Sequence, residues 1–172
     1  MERILGRLES VRKPVVAVID GYAIGGGLAI AAVSDLRICT PEAKFGMPIA
    51  RTLGNCLSIH NYARLVALLG PARTKALIFT ATMIPAEDAH AAGFATEVVP
   101  REEIDGRVEE LCAALASHAP VTMRATKEAV RRITLAGVPD ASDLIRETYG
   151  SRDFHEGVRA FTEKRRPDWQ GR

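Results

Sequence analysis

Hydrophobic residues recur with helical spacing at the start of the chain and then form continuous apolar runs. The first periodic stretch, over residues 1–12, predicts an amphipathic helix. Its apolar positions are Ile4, Leu5, Leu8 and Val11. The β-branched run of residues 14–19 that follows predicts a buried strand, which needs neighbours on both sides. The pattern therefore predicts a helix that leads directly into a buried strand.

A glycine-rich turn separates this strand from a second apolar run that begins at Leu28. The turn contains Gly25, Gly26 and Gly27, and the order predicts a strand, a tight turn and a short buried helix. Consecutive glycines permit positive φ and let a ligand approach bare N–H groups. At a helix N-terminus such N–H groups would face a negative charge. The alternative is a packing turn at which helix and strand touch closely.

The remaining chain alternates short strands with longer helical patterns. Residues 35–40 alternate like a strand, residues 41–48 are turn-rich, and residues 49–57 indicate an irregular loop. A further strand is predicted over residues 94–100. The predicted helices are 58–70, 72–81, one from Pro85 to Gly93, 102–117, 121–135 and two beyond Pro139. The apolar face of the first contains Ile59, Tyr62, Ala63, Val66 and Leu69. The apolar face of the last contains Phe154, Val158 and Phe161.

Composition limits the classes of partner. The 172 residues are 47% hydrophobic and 26% charged, with a formal net charge of +2, so no global charge argues for nucleic acid or a membrane surface. The longest mainly apolar segment, residues 15–33, contains Asp20 and four glycines, which disfavours a membrane span. No signal peptide is recognisable. RNA binding through the basic C-terminal end is a weak alternative because no aromatic residues interleave with the charges.

The three cysteines predict reduced thiols. Cys39, Cys56 and Cys112 are odd in number and widely spaced, which favours a cytoplasmic protein and argues against a disulfide framework or a zinc site. A nucleotide-binding turn is also disfavoured. The glycines do not follow the G-x-G-x-x-G order of a dinucleotide site, and no Gly-Lys-Ser/Thr follows them as in a phosphate loop. Instead, an N–H at this helix start suits a thioester oxygen that becomes an enolate.

Together the motifs resemble the enoyl-CoA hydratase/isomerase (crotonase) family, in the same order and over nearly the whole chain. The matching segments are KPVVAVIDGYAIGGG (13–27), SDLR (34–37), AKFGMP (43–48), GPAR (70–73), AEDAHAAG (86–93) and EGVRAFTEKR (156–165). The resemblance implies an α/β fold, a spiral of ββα turns over residues 1–118, followed by a helical trimerisation region over residues 119–172. It also implies homotrimers or hexamers and coenzyme A thioesters of fatty acid metabolism as substrates.

The resemblance assigns site residues to positions of this chain. Gly26 supplies the second N–H of the family's oxyanion hole, and Lys164 matches a lysine that contacts coenzyme A phosphates. Arg165 and Arg166 are further phosphate candidates. The substrate-binding positions are Ala23, Ile24, Gly25, Ala29, Ile49, Arg51 and Leu53. No metal and no cofactor beyond the coenzyme A of the substrate is expected.

Two departures from the family pattern shape the expected activity. Family members have further residues before this point, including the first strands, most of the coenzyme A-binding loop and the other oxyanion N–H; the chain is expected to be a shortened member or a fragment. In addition, the positions of the family's two catalytic glutamates hold Ala29 and Ile49. Neither side chain takes a proton, so an apolar pocket is expected in place of an acid/base pair.

The segment after Ile49 offers other polar groups. Arg51, Asn55, Cys56, Ser58 and His60 are candidates for a different reaction on a thioester, or are loop, capping and surface residues. The sequence therefore predicts an acyl-CoA-binding protein, a lyase or isomerase if active. The alternative is a non-catalytic acyl-CoA-binding or assembly subunit.

Overall fold

The computed structural model describes residues 1–171, which form nine helices and six short strands. The helices are α1 (Glu2–Glu9), α2 (Gly26–Val33), α3 (Ile49–Thr52), α4 (Ile59–Phe79), α5 (Ala86–Ala91), α6 (Ile104–Ser117), α7 (Pro120–Leu135), α8 (Ser142–Gly150) and α9 (Arg152–Thr162). The strands are β1 (Val16–Ile19), β2 (Tyr22–Ile24), β3 (Leu36–Cys39), β4 (Lys44–Gly46), β5 (Ile84–Pro85) and β6 (Glu97–Val98).

The strands form two three-stranded sheets. The first has the order β1-β3-β6 and is parallel, and the second has the order β2-β4-β5, with β4 parallel to β2 and antiparallel to β5. Ile24 at the end of β2 is paired with Gly46 at the end of β4. Because parallel strands end at the same sheet edge, the segments that follow β2 and β4 lie side by side.

The predicted strands β1 and β3 are confirmed, but the predictions that β1 is buried and that a simple turn joins it to α2 are wrong. Within residues 1–171, β1 pairs only with β3, and Val18 is 47% exposed. Residues 22–24 form β2 because a parallel partner, β4, lies beside them. β4 itself lies in the segment predicted as turn-rich, and α3 occupies the start of the predicted loop. Elements of three or four residues are too short to show a period in the sequence.

Helix α4 consists of two helices that meet at Gly70, where the sequence predicts that one helix ends and the next begins. Gly70 has φ 77° and ψ 161°, which are not helical values, so α4 is kinked at this residue. Pro71 begins the second half of α4. The predicted apolar face is partly wrong. Leu69 is buried as expected, but Val66 is 40% exposed and Leu65 lies in the core instead.

The main core lies between the second sheet and helices α2, α4 and α5. Phe45 and Phe94 meet edge to face at its centre, with ring centroids 5.2 Å apart. Cys39 lies in the same cluster, where burial raises the pKa of its thiol to about 11. This thiol is therefore neutral at physiological pH and is a packing group.

Helix α1 is attached to α4 by a buried arginine. Arg64 donates two hydrogen bonds to the Glu9 carboxylate, at 3.0 and 2.8 Å, and one to Glu2 at 2.8 Å. Its side chain is 4% exposed, while those of Glu9 and Glu2 are 14% and 37% exposed. Ser58 adds a hydrogen bond from its hydroxyl to Glu2. We name this group, Arg64 with Glu2, Glu9 and Ser58, the α1–α4 clasp.

The C-terminal helices are packed more loosely than the core. No side chain of α7 or α8 is buried within the described chain, and Lys127 attaches α7 to Asp35 at 2.7 Å. The predicted apolar face of α9 is wrong in part, since Phe161 is 67% exposed whereas Glu156 and Gly157 are buried. The proposed division at residue 118 falls where α6 ends. None of the helices over residues 1–171 has the length and apolar character needed to cross a membrane.

Candidate functional site

The glycine turn lies at the shared edge where β2 and β4 end. Gly25 has φ 57° and ψ −110°, a conformation that favours glycine, and it caps the N-terminus of α2. Its N–H donates to the Gly46 carbonyl at 2.9 Å, and its carbonyl accepts from Ala29 N at 3.0 Å. These bonds fix the turn between β4 and the first turn of α2.

The next residue, Gly26, presents an N–H at the positive end of α2. Among residues 1–171 this N–H has no acceptor, as expected for the first residue of a helix. Gly26 is exposed, and the Met1 methyl group lies 3.4 Å from the position that a Cβ would take. An oxygen that approaches Gly26 would therefore find a free donor and the helix dipole. Of its neighbours, Ala23 is buried in the core and Ile24 is half-buried.

Ala29 and Ile49 are both buried, but the structure does not place them in one cluster. Ala29 is 8% exposed and packs with Leu5 and Val33 beneath α1. Ile49 is 7% exposed and belongs to the main core, at the start of α3. No proton-accepting side chain occupies either position, and the apolar pocket between them stays a prediction.

Some polar side chains of the loop after α3 stabilise the fold, and others have no assigned structural role. Ser58 caps α4, with its hydroxyl accepting from Asn61 N at 3.3 Å, and His60 is exposed. The Asn55 Oδ1 atom is buried without a partner among the described residues. Cys56 lies against α8, with Sγ 4.0 Å from the Leu144 carbonyl. Ser58 therefore has a structural role, while Asn55 keeps an unused acceptor.

The predicted cations separate into two groups. Arg51 on α3 lines a groove of about 500 Å³ together with Arg165 and Arg166 from the C-terminal segment. Its other walls are Thr52, Phe161, Pro167 and Trp169. We name this cavity the α3 groove. Lys164 does not line it; this residue lies two positions after the end of α9, with φ 54°, and is exposed. Sequence reasoning missed Trp169, which reaches the groove because the C-terminal segment folds back over Gly54.

Glu156 organises the charges behind the groove. Its carboxylate accepts from Arg165 Nη1 at 2.5 Å, from Arg159, and from Asp168 N at 3.1 Å. The hydrogen bonds from Arg165 and Arg159 hold the pKa of Glu156 well below its usual range. The same bond raises the pKa of Arg165. Arg165 is therefore already paired, whereas Arg51 and Arg166 form no ion pair with a described side chain.

A further cavity lies elsewhere. It has a volume of about 550 Å³ and is lined by Ala32, Val33, Leu68 and Met123, among others, between α2, α4 and α7. These residues meet the C-terminal end of α2, and Gly26 lies at the opposite end, roughly 10 Å away at 1.5 Å per residue. We assign the candidate site to the glycine turn because the free, exposed Gly26 N–H lies there, at the position that the sequence motif matches to an oxyanion donor. No group of three or more potential metal ligands occurs in the described part of the chain.

Comparison with known proteins gives a consistent result. The family model described as enoyl-CoA hydratase/isomerase matches residues 1–172. A probable mitochondrial enoyl-CoA hydratase of Dictyostelium discoideum is 33% identical over 169 residues, covering 96% of this chain and 61% of that protein. A short-chain-enoyl-CoA hydratase of Clostridium acetobutylicum is 34% identical over 168 residues, covering 95% of this chain and 64% of that protein. The chain thus spans less than two thirds of the length of these relatives.

Solved structures confirm the expected fold. A methylmalonyl-CoA decarboxylase in complex with 2-nitronate-propionyl-CoA has a TM-score of 0.93 at 28% identity, covering 99% of this chain and 67% of that chain. An enoyl-CoA hydratase from Mycobacterium avium subsp. paratuberculosis K-10 has a TM-score of 0.85 at 28% identity, covering 98% and 70%. The two sheets and the helices around them are therefore the family's α/β fold in part.

Proposed function

The chain belongs to the enoyl-CoA hydratase/isomerase family, and we propose that it binds acyl-CoA thioesters with the carbonyl oxygen on Gly26 N–H. The observation that carries this proposal is the free, exposed N–H at the first residue of α2. A fixed donor of this kind stabilises the negative charge of an enolate more than the neutral carbonyl. The family's oligomers, homotrimers or hexamers, and a role for Lys164 at the phosphates belong to the same proposal.

Hydration by the family's usual route is not part of the proposed activity. Adding water to an enoyl thioester needs one group that takes a proton from water and one that delivers a proton to carbon. Ala29 and Ile49 offer no such group, and both are buried among apolar side chains. General acid–base catalysis contributes about 10²–10⁴-fold, so we expect hydration to be slower by at least that factor.

A second candidate is decarboxylation of a malonyl-type thioester. This reaction forms the enolate without a base: the bond between the α-carbon and the carboxylate breaks, its electron pair moves toward the thioester oxygen, and CO₂ leaves. Water then supplies a proton to the α-carbon. The candidate is favoured by the absence of a carboxylate at positions 29 and 49 and by the similarity to the methylmalonyl-CoA decarboxylase. A non-catalytic binding subunit is the remaining alternative.

The test uses a chromophoric arylacryloyl-CoA whose absorption shifts to the red when its carbonyl accepts hydrogen bonds. We expect the wild-type chain to bind this probe and to cause the shift. Gly26→Pro removes the N–H at a helix position that tolerates proline, so the shift should disappear. Gly26→Ala keeps the N–H and adds only a methyl group beside the flexible Met1 side chain, so the shift should remain.

Turnover of crotonyl-CoA and methylmalonyl-CoA is measured on the same proteins. Failure of the wild type to bind any thioester would overturn the proposal. Hydration of crotonyl-CoA at the rate of an ordinary family enzyme would show that the glutamate pair is dispensable. It would contradict the proposal that this chain does not hydrate enoyl thioesters by the family's usual route. Release of CO₂ from methylmalonyl-CoA that depends on Gly26 N–H would select decarboxylation, and binding without any turnover would select the binding subunit.

A further inference from the structure

We propose that the α3 groove binds a carboxylate carried by the acyl group, so that the preferred ligands are thioesters of dicarboxylic acids. This inference rests on the proposed function, because it assumes that the thioester carbonyl lies at Gly26. The inference concerns the far end of the acyl group instead of the thioester carbonyl, and the residues of the α3 groove instead of Gly26. The groove is formed by α3 and the C-terminal segment, and neither supplies the oxyanion donor.

The charge of the groove is one-sided. Three arginines line it, and none of its described lining residues is an aspartate or glutamate. Arg165 is paired with Glu156 and Glu163. Arg51 and Arg166 are exposed and form no ion pair within residues 1–171. Two guanidinium groups thus keep their donors available, and a guanidinium holds a carboxylate through two parallel hydrogen bonds.

The other walls strengthen such a bond. Phe161, Pro167 and Trp169 are apolar, and Thr52 supplies a hydroxyl whose proton goes to the Pro48 carbonyl at 2.9 Å. Aromatic walls exclude part of the water, and charge interactions grow as the local dielectric constant falls. Trp169 is itself held in place, because its ring packs against Gly54 and Gly157. The groove is therefore a formed surface with a fixed aromatic wall.

The position of Arg51 favours the acyl group as the source of the anion. Arg51 lies two residues after Ile49, on the helix that directly follows β4, and β4 ends beside the glycine turn. The phosphates of coenzyme A are separated from the thioester by the whole pantetheine arm. A group that reaches the α3 groove from a carbonyl at Gly26 is therefore more simply the far end of the acyl chain than a phosphate.

The experiment is isothermal titration calorimetry with acyl-CoA pairs of equal chain length. The pairs are butyryl and succinyl, pentanoyl and glutaryl, and hexanoyl and adipoyl. We expect the wild type to prefer the dicarboxylic member of at least one pair by about tenfold, as one charged hydrogen-bonded pair supplies. Arg51→Ala and Arg166→Ala should each reduce that preference, measured within each pair, to about twofold or less. Arg73→Ala, which removes an exposed arginine of α4 outside the groove, should preserve it.

Each other outcome has a definite meaning. If the wild type binds both members of every pair equally, the inference is wrong and the proposed function stands. If the arginine variants weaken all acyl-CoA ligands alike but leave their dephospho-CoA analogues unchanged, the groove holds the ribose phosphate and the acyl assignment is overturned. If the wild type binds no acyl-CoA at all, the proposed function fails, and the inference fails with it.

Discussion

At the scale of single residues, Gly157 leaves the least room for change. It lies where α9 crosses the loop after α3, and a Cβ added there would overlap the Leu53 carbonyl group. The Trp169 ring lies 3.0 Å from the same position. The carbonyl belongs to the backbone, so relief of the overlap requires the loop or the helix to move. One missing side chain thus allows the loop, α9 and the C-terminal segment to meet.

We predict that Gly157→Ala destabilises the protein by about 2–3 kcal/mol, the cost typical of an overpacked contact. The matched control is Gly106→Ala on α6, where nothing lies within 4 Å of the added methyl group. That change should stabilise by about 0.5–1 kcal/mol, because alanine loses less backbone entropy in a helix than glycine. Urea unfolding followed by circular dichroism measures both. Equal effects of the two substitutions would show that the contact at Gly157 is unimportant.

The sequence predicts the role of some of these residues but not of others. The glycine turn was predictable because consecutive glycines before an apolar run are a local signal. The EGVRAFTEKR motif included Gly157 without showing its role, because its neighbour Leu53 is far away in the chain. The α3 groove was not predictable either, since Arg51, Arg166 and Trp169 meet only through tertiary folding.

At the scale of elements, the α1–α4 clasp holds the first helix in place. α1 buries only Leu5, which packs with Ala29 and Val33. The ion pairs of Arg64 with Glu2 and Glu9 supply the remaining attachment. Ala29 lies in the first turns of α2 and contacts Leu5 of α1. A change in the position of α1 would therefore alter the packing of the helix start that carries the glycine turn.

We predict that Arg64→Met destabilises the protein by about 3 kcal/mol, because it leaves the partly buried Glu9 without a partner. Glu2 is more exposed and contributes less. The double variant Arg64→Met with Glu9→Gln should recover part of the loss, since it removes the uncompensated charge. The control Arg132→Met removes an ion pair whose arginine is 74% exposed and should cost less than about 0.5 kcal/mol. Thermal and urea unfolding of the four proteins measure these differences, and similar costs at Arg64 and Arg132 would contradict the prediction.

Longer elements were predictable from sequence, whereas the short ones were not. The patterns for α2, α6 and α7 identify a helix, β1 is recognisable as an apolar run, and β3 is recognisable from its alternation of apolar and polar residues. β2, β4 and α3 contain three or four residues, too few to show a period, and β2 and β4 are determined by their pairing with each other. The apolar face of α9 was misassigned because Glu156 is buried by its arginine partners.

At the scale of the whole molecule, β1 and β2 are terminal strands of the two sheets within residues 1–171. β1 pairs only with β3 and β2 pairs only with β4 within the described chain. Val18 on β1 is 47% exposed and Tyr22 on β2 is 67% exposed. Open strands with exposed apolar side chains are templates for pairing between chains. The open edges of β1 and β2 are therefore sites where β-pairing between chains is expected.

We predict that Val18→Lys reduces concentration-dependent self-association, because a charge on an edge strand opposes pairing with another strand. The unfolding midpoint should change little, since Val18 is half exposed. Ile133→Lys on α7 is the control: Ile133 is 76% exposed but lies on a helix. Sedimentation velocity over a range of concentrations measures the effect. An equal reduction by both variants, or a wild type that remains monomeric at all concentrations, would argue against the edge.

The parallel pairing of the strands also governs how the chain reaches this structure. β1 and β3 join residues 16–19 to 36–39, and β6 adds residues 97–98 beside β3 only after α4 and α5 have crossed between them. No pairing among β1, β3 and β6 joins two strands by a tight hairpin. Loop-closure entropy must therefore be lost before most native contacts form, which slows folding. During synthesis, β6 follows α5, so the first sheet cannot be completed until α5 has emerged.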